Sequence, residues 1–192
     1  MEGQGTATLV PLRFFTEEQA LVVAAATSRI FPTDESGPGA NEAGVALYID
    51  RQLAGPYGRD RFRYTKGPFV EGSPEQGDQS QATPREIYRK GIAELKGFEK
   101  LSGTEQDEKL RSIESSVFFR LLRQHTMEGM FCDPMHGGNR NLIGWQLIGF
   151  PGPYMSWAND IDKHFGEALR PKPQSLSQIL NRKVTPWEEL EP

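Results

Sequence analysis

The sequence predicts a mostly α-helical single domain, irregular in outline, with long loops rich in aromatics, glycine and proline and with little or no sheet. Three observations carry this. At 192 residues the chain is long enough for one sizeable core and short for two. Helix-start signals recur in front of apolar residues spaced three and four apart. Between these helical runs lie two segments, from Gly55 to Ala82 and from Asp133 onward, whose glycine, proline and aromatic content does not fit a long helix. The expected layout is an N-terminal arm over 1–13, a helical domain over 14–170 and a C-terminal tail over 171–192.

Thr16 with Gln19 three residues later forms a capping-box pattern, and Glu17 and Glu18 suit the positive end of a helix. Leu21, Val22, Ala25 and Arg29 then recur at helical spacing, predicting a helix from about 17 to 30 that Pro32 ends. The stretch from Pro32 to Ala40 is a turn by composition. A second helix is predicted from about 41 to 54, with Val45, Tyr48, Ile49 and Leu53 on one face and Gly55-Pro56 as its stop. The irregular region that follows divides in two. Its first half, with Tyr57, Phe62, Tyr64 and Phe69, is too apolar to hang freely in water, whereas residues 71 to 82 read as solvated.

Helix signals resume at Thr83, an N-cap with Pro84 at the first helical position and Glu86 at the capping-box position. Tyr88, Ile92, Leu95 and Leu101 supply a buried stripe until Ser102-Gly103 ends it. Thr104 opens a short charged helix with Leu110 and Ile113 on its inner side. The run after Ser115 places Val117, Phe118, Leu121, Leu122 and His125 along one face; it is the most apolar helix and the expected centre of the core. A helix over about 161 to 169 and a short helical run from Leu176 to Leu180 complete the set.

Composition excludes several functions. The formal net charge of -4, with Lys and Arg scattered along the chain, argues against nucleic acid or an anionic membrane as the main partner. The longest apolar run, Ala20 to Ala26, is far short of the roughly 20 residues of a membrane span. The N-terminus carries no twin-arginine pair or other export signal, which leaves a cytoplasmic protein or one whose signal has been removed. Cys132 is the single cysteine, so it cannot build an intramolecular disulfide, a thiolate zinc cluster or an iron–sulfur centre, and it reads as a small, half-buried hydrophobe.

A search for chemistry finds little. Neither GPGANEAG (37 to 44) nor GGNRNLIG (137 to 144) has the glycine spacing or the preceding strand of a phosphate-cradling loop, so no flavin or nicotinamide site is expected in this chain. There is no GxSxG elbow. His125, Glu128, Asp133 and His136 form the best metal candidate, but a di-iron bundle needs two Glu-x-x-His pairs, and here there is one pair in reverse order. The competing reading makes His125 a hydrogen-bonded core residue and Asp133 the start of a loop. Haem ligation by His125, His136 or His164 is not selected by any spacing. Arg59, Arg61 and Arg63 alternate with Phe62 and Tyr64, which suits either solvated arginines beside an apolar strip or a charge-complementary contact with an acidic partner.

Two stretches carry a resemblance: GPGANEAGVALYIDRQLAGPYG (37 to 58) and HTMEGMFCDPMHGGNRNLIGWQLIGFPGP (125 to 153). They resemble the signature blocks of the gluconate 2-dehydrogenase small (gamma) subunit family, also called subunit 3, and the segments 14 to 34 and 88 to 101 are similar to it in layout. The resemblance implies a non-catalytic subunit of a periplasmic, membrane-associated dehydrogenase complex that binds no cofactor itself. In that complex a large glucose-methanol-choline-type subunit with FAD oxidises a sugar or sugar acid, and a cytochrome subunit with haem c carries the electrons on. The small subunit normally bears a twin-arginine signal and escorts and stabilises the flavoprotein. An alternative is that it lends residues, His125, Glu128 or Arg140, to the active-site entrance or electron path; a free-standing metalloprotein is a third. On the first reading the aromatic segments wrap the flavoprotein, with Tyr57, Phe62, Trp145, Phe150, Tyr154, Trp157 and the tail's Trp187 as anchors.

Overall fold

The computed structural model describes residues 11–63, 67–70, 72–73, 81–153, 163–164, 166–168 and 171–180. Within them the chain is helical: α1 (Glu17–Ile30), α2 (Ala40–Ala43), α3 (Val45–Ala54), α4 (Pro84–Glu94), α5 (Gly103–Ser112), α6 (Val117–Phe131), α7 (Ile143–Ile148) and α8 (Leu176–Ile179), with single helical turns at Tyr57–Arg59, Phe98–Lys100, Pro134–His136 and Arg140–Leu142. The only pairing of extended backbone among these residues is a bridge between Asp34 and Gly37 in the first turn. The mostly α class is therefore the observed one. Tyr64, Tyr154, Trp157 and Trp187, and most of 1–13 and 71–82, lie outside the described residues.

Local chemistry sets the helix starts. The Thr16 hydroxyl accepts from the Gln19 amide at 3.2 Å while the Gln19 side chain accepts from the Thr16 amide at 3.1 Å. The same reciprocal box joins Thr83 to Glu86, with Pro84 in the first turn. Each box satisfies backbone donors that the helix itself leaves orphaned. The charged helix begins one residue before the expected position, because Ser102 rather than Thr104 is its cap and pairs with Glu105.

Four expectations about the helices are corrected. The single helix expected over 41 to 54 is broken at Gly44, which sits at φ 74 and separates α2 from α3. That left-handed conformation strains a side chain and suits glycine. The helix expected to continue to Leu101 stops at Glu94, and a separate turn, Phe98–Lys100, follows; Phe98 is buried and Leu101 lies largely in solvent. In α1 the buried stripe is Val22, Val23, Ala26 and Thr27, whereas Leu21 is 60% exposed. The inner face is thus turned by about one position, roughly 100°, from the expected one. Of the helix expected over 161 to 169, residues 163–164 and 166–168 are described and none is helical; His164 lies in a bend and Gly166, in a turn, has φ 81.

The core lies where α1, α3, α4 and α6 meet. Ile49 and Leu53 from α3, Tyr88 and Ile92 from α4, and Phe118, Leu122 and Met130 from α6 are all buried there. Val117 at the start of α6 points outward instead, since Ser116 caps that end at the surface. Gly91 lets α4 and α6 touch: a Cβ there would lie 2.1 Å from Cγ of Phe118. The first residues of the tail fold back onto this body. The Leu176 amide donates to Asp133 Oδ2 at 2.8 Å, and the Gln174 amide to the Pro151 carbonyl at 3.1 Å.

Candidate functional site

The polar groups of the core converge on α6, one turn apart. His125 is 1% exposed and its ring is held at both nitrogens: Tyr88 Oη lies 2.8 Å from Nδ1 and Tyr57 Oη 2.9 Å from Nε2. The Tyr88 ring stacks on the imidazole with centroids 5.6 Å apart, and the Tyr57 ring meets it edge-on at 5.3 Å. One turn on, Glu128 accepts from the Tyr48 hydroxyl at 2.9 Å and from the Gln124 side-chain amide at 2.8 Å. Helix α6 thus presents a histidine and a glutamate, and α3, α4 and the turn Tyr57–Arg59 each bring a tyrosine to meet them.

Burial decides the protonation states. It pushes the His125 imidazolium down from 6.5 to about 4, outweighing the opposite pull of Glu128. It also raises the Tyr88 and Tyr48 phenols well above their ordinary range, with Glu128 adding to the effect, and lifts the Cys132 thiol to about 11. Near neutral pH the imidazole is therefore neutral, with one N–H and one lone pair, and each faces a tyrosine hydroxyl. His125 is thus a neutral imidazole engaged at both nitrogens, and the Cys132 thiol is protonated. The arrangement ties α3, α4 and the turn Tyr57–Arg59 to α6.

The four weak metal candidates are not brought together. His125 and Glu128 are occupied by tyrosines, Asp133 accepts from the Met135 and Leu176 amides, and His136 is exposed on the turn Pro134–His136. Among the described residues no group of three or more His, Cys, Asp or Glu side chains is placed to hold a metal ion.

The expected interface aromatics separate into two kinds. Phe62 is 85% exposed, Phe150 41% and Tyr57 39%, so these three present apolar surface to the outside. Trp145 is corrected: it is 4% exposed, its indole N–H donates to the Phe131 carbonyl at 2.7 Å, and Phe150 covers its ring edge-on at 5.0 Å. Its own chain already supplies the cover that a partner was expected to give. Tyr154, Trp157 and Trp187 lie outside the described residues.

Two further buried residues, Asp50 and Asn139, hold neighbouring segments in place. Asp50 is fully buried on α3 and accepts from the backbone amides of Arg13, Phe14 and Phe15 at 2.8 to 2.9 Å, fastening the end of the N-terminal arm. A charged residue beside Ile49 and Leu53 in an otherwise apolar stripe was the available signal. Asn139, also fully buried, has φ 45, donates to the Cys132 carbonyl and accepts from the Gly144 amide, and so sets the bend between α6 and α7. Asparagine tolerates that conformation better than most residues, but nothing in its neighbours announces the bend.

A family model described as gluconate 2-dehydrogenase subunit 3 matches residues 17–152. No curated protein and no solved structure matches the chain.

Proposed function

The chain belongs to the gluconate 2-dehydrogenase subunit 3 family, and from that premise we propose that it is a non-catalytic subunit that stabilises a large FAD-dependent dehydrogenase of the glucose-methanol-choline type. On this reading the complex is periplasmic, FAD and haem c belong to the flavoprotein and cytochrome partners, and the small subunit escorts the folded flavoprotein through twin-arginine export. No helix among the described residues is long and apolar enough to cross a membrane, which is consistent with attachment through the complex.

The observation that carries the reading is the contrast between core and surface. In the core Tyr57, His125 and Tyr88 are hydrogen-bonded to one another, as are Tyr48 and Glu128, while Phe62 on the surface is 85% exposed. Buried polar groups paired in this way specify a single packing. Exposed aromatics beside arginines are the composition of a protein–protein contact.

Co-expression of the full chain with the large subunit, with an affinity tag on either, tests the proposal. The two are expected to co-purify, and the soluble yield of flavin-loaded large subunit is expected to fall severalfold when this chain is omitted. Absence of co-purification, or an undiminished yield, would overturn it.

A further inference from the structure

Residues Pro56 to Arg63 form a short, well-fastened turn on the surface. The turn Tyr57–Arg59 closes onto Asp60 at φ 52, the Arg61 amide returns to the Pro56 carbonyl at 3.1 Å, and the Asp60 carboxylate pairs with Arg63. Tyr57 ties this turn to the core through His125. At its tip Phe62 is almost wholly exposed, beside a groove of about 530 Å³ that Pro56, Tyr57, Arg61 and Phe62 help to line.

The charge around this tip is positive, although the chain as a whole carries -4. Arg59 and Arg61 are exposed, and neither forms an ion pair among the described residues. Behind them Arg85 spends its guanidinium on the Leu53 and Ala54 carbonyls, and Arg89 lies with it over the Phe14 ring at 5.3 to 5.4 Å. Arg85 feels both Arg59 and Arg89, which lower its pKa in addition to burial. The nearby acids are already engaged, Asp60 on Arg63 and Glu86 on the Thr83 cap.

We propose that the Phe62 tip and its flanking Arg59 and Arg61 dock the chain onto an acidic face of the large subunit, with the phenyl ring filling an apolar pocket and the two guanidiniums meeting carboxylates at its rim. This rests on the assignment of the chain as a subunit of that complex. A fastened turn loses little freedom on docking, and an aromatic anchor ringed by arginines is the usual make-up of an energetic centre of an interface. With Arg85 half-buried and spent on backbone carbonyls, the exposed arginines here are Arg59, Arg61 and Arg89, fewer than the four to eight basic residues that hold a segment on anionic lipid, so a protein face fits better than a membrane.

The test uses the full chain co-expressed with the large subunit, in four forms: unaltered, Phe62→Ala, Arg59→Glu with Arg61→Glu, and Leu21→Ala on the exposed side of α1 as a control. Thermal melting of each isolated chain checks folding, and the exposed positions are expected to melt within a few degrees of the unaltered protein. Affinity is expected to fall about tenfold or more for Phe62→Ala and for the double charge reversal, and to stay unchanged for Leu21→Ala. If the unaltered chain does not bind the large subunit, the subunit assignment itself fails. If it binds and the Phe62 and arginine variants bind equally well, only the docking site is overturned. Loss of binding to phosphatidylglycerol vesicles in the charge reversal, with the complex unaffected, would reassign the patch to lipid and would likewise overturn the proposal.

Discussion

At the level of single residues, His125 sets the pH response of the fold. Its imidazolium is held near 4 in the folded chain against 6.5 for an ordinary histidine. Between those values the unfolded chain binds a proton that the folded chain does not, so stability rises with pH across this window and is lost as pH falls through it. The full span amounts to about 3 kcal/mol, at about 1.4 kcal/mol per pH unit. Urea unfolding from pH 4 to 7.5 is expected to show this slope, and His125→Gln, which keeps a donor and an acceptor but does not titrate, is expected to flatten it. An unchanged slope in the variant would place the titration elsewhere. His125 itself was legible as a core residue because it continues the apolar face of α6. Its partners were not: Tyr57 is 68 residues away and Tyr88 37 away, and no local pattern ties an aromatic ring in one segment to a ring nitrogen in another.

At the level of elements, what the sequence revealed followed from how local each signal is. The boxes at Thr16 and Thr83 involve residues three apart and were readable as they stand. The break at Gly44 was hidden because the apolar spacing of Val45, Tyr48, Ile49 and Leu53 runs on from the preceding segment without a visible gap. The face that α1 turns inward depends on where its neighbours lie, which no periodicity encodes. Gly91 belongs to the same class, since its necessity lies in Phe118 of another helix. Gly91→Ala would force a methyl group to within 2.1 Å of the Phe118 ring. Helix propensity alone favours the substitution by about 1 kcal/mol, but overpacking a tight crossing costs about 1–3 kcal/mol, and here the clash is with the near end of a buried ring. The expected outcome is a net loss of stability in thermal or denaturant melts, recovered in part when Phe118→Leu makes space. A stabilised Gly91→Ala chain would show that α4 and α6 can separate freely at this crossing.

For the whole molecule, charge in sequence and charge in space differ. Lysines and arginines are scattered along the chain, and their spread argued against any concentrated positive surface. Folding brings Arg85 and Arg89 of α4 near Arg59, so a chain of net charge -4 carries a positive face among the described residues, with Phe62 at its tip. The two parts of that face act at different stages of association. Charges act over a Debye length of about 10 Å at 0.1 M salt and about 3 Å at 1 M, so the arginines guide the encounter. The phenyl ring acts only in contact, so it holds the complex once formed. Raising the salt from 0.05 to 0.5 M is therefore expected to slow association with the large subunit by about tenfold and to leave dissociation nearly unchanged. Reversing Arg59 and Arg61 should abolish that salt dependence, and Phe62→Ala should speed dissociation while preserving it. Association and dissociation rates measured on an immobilised large subunit separate the two effects. If salt acted mainly on dissociation, the guanidiniums would belong to the buried centre of the contact and not to its rim.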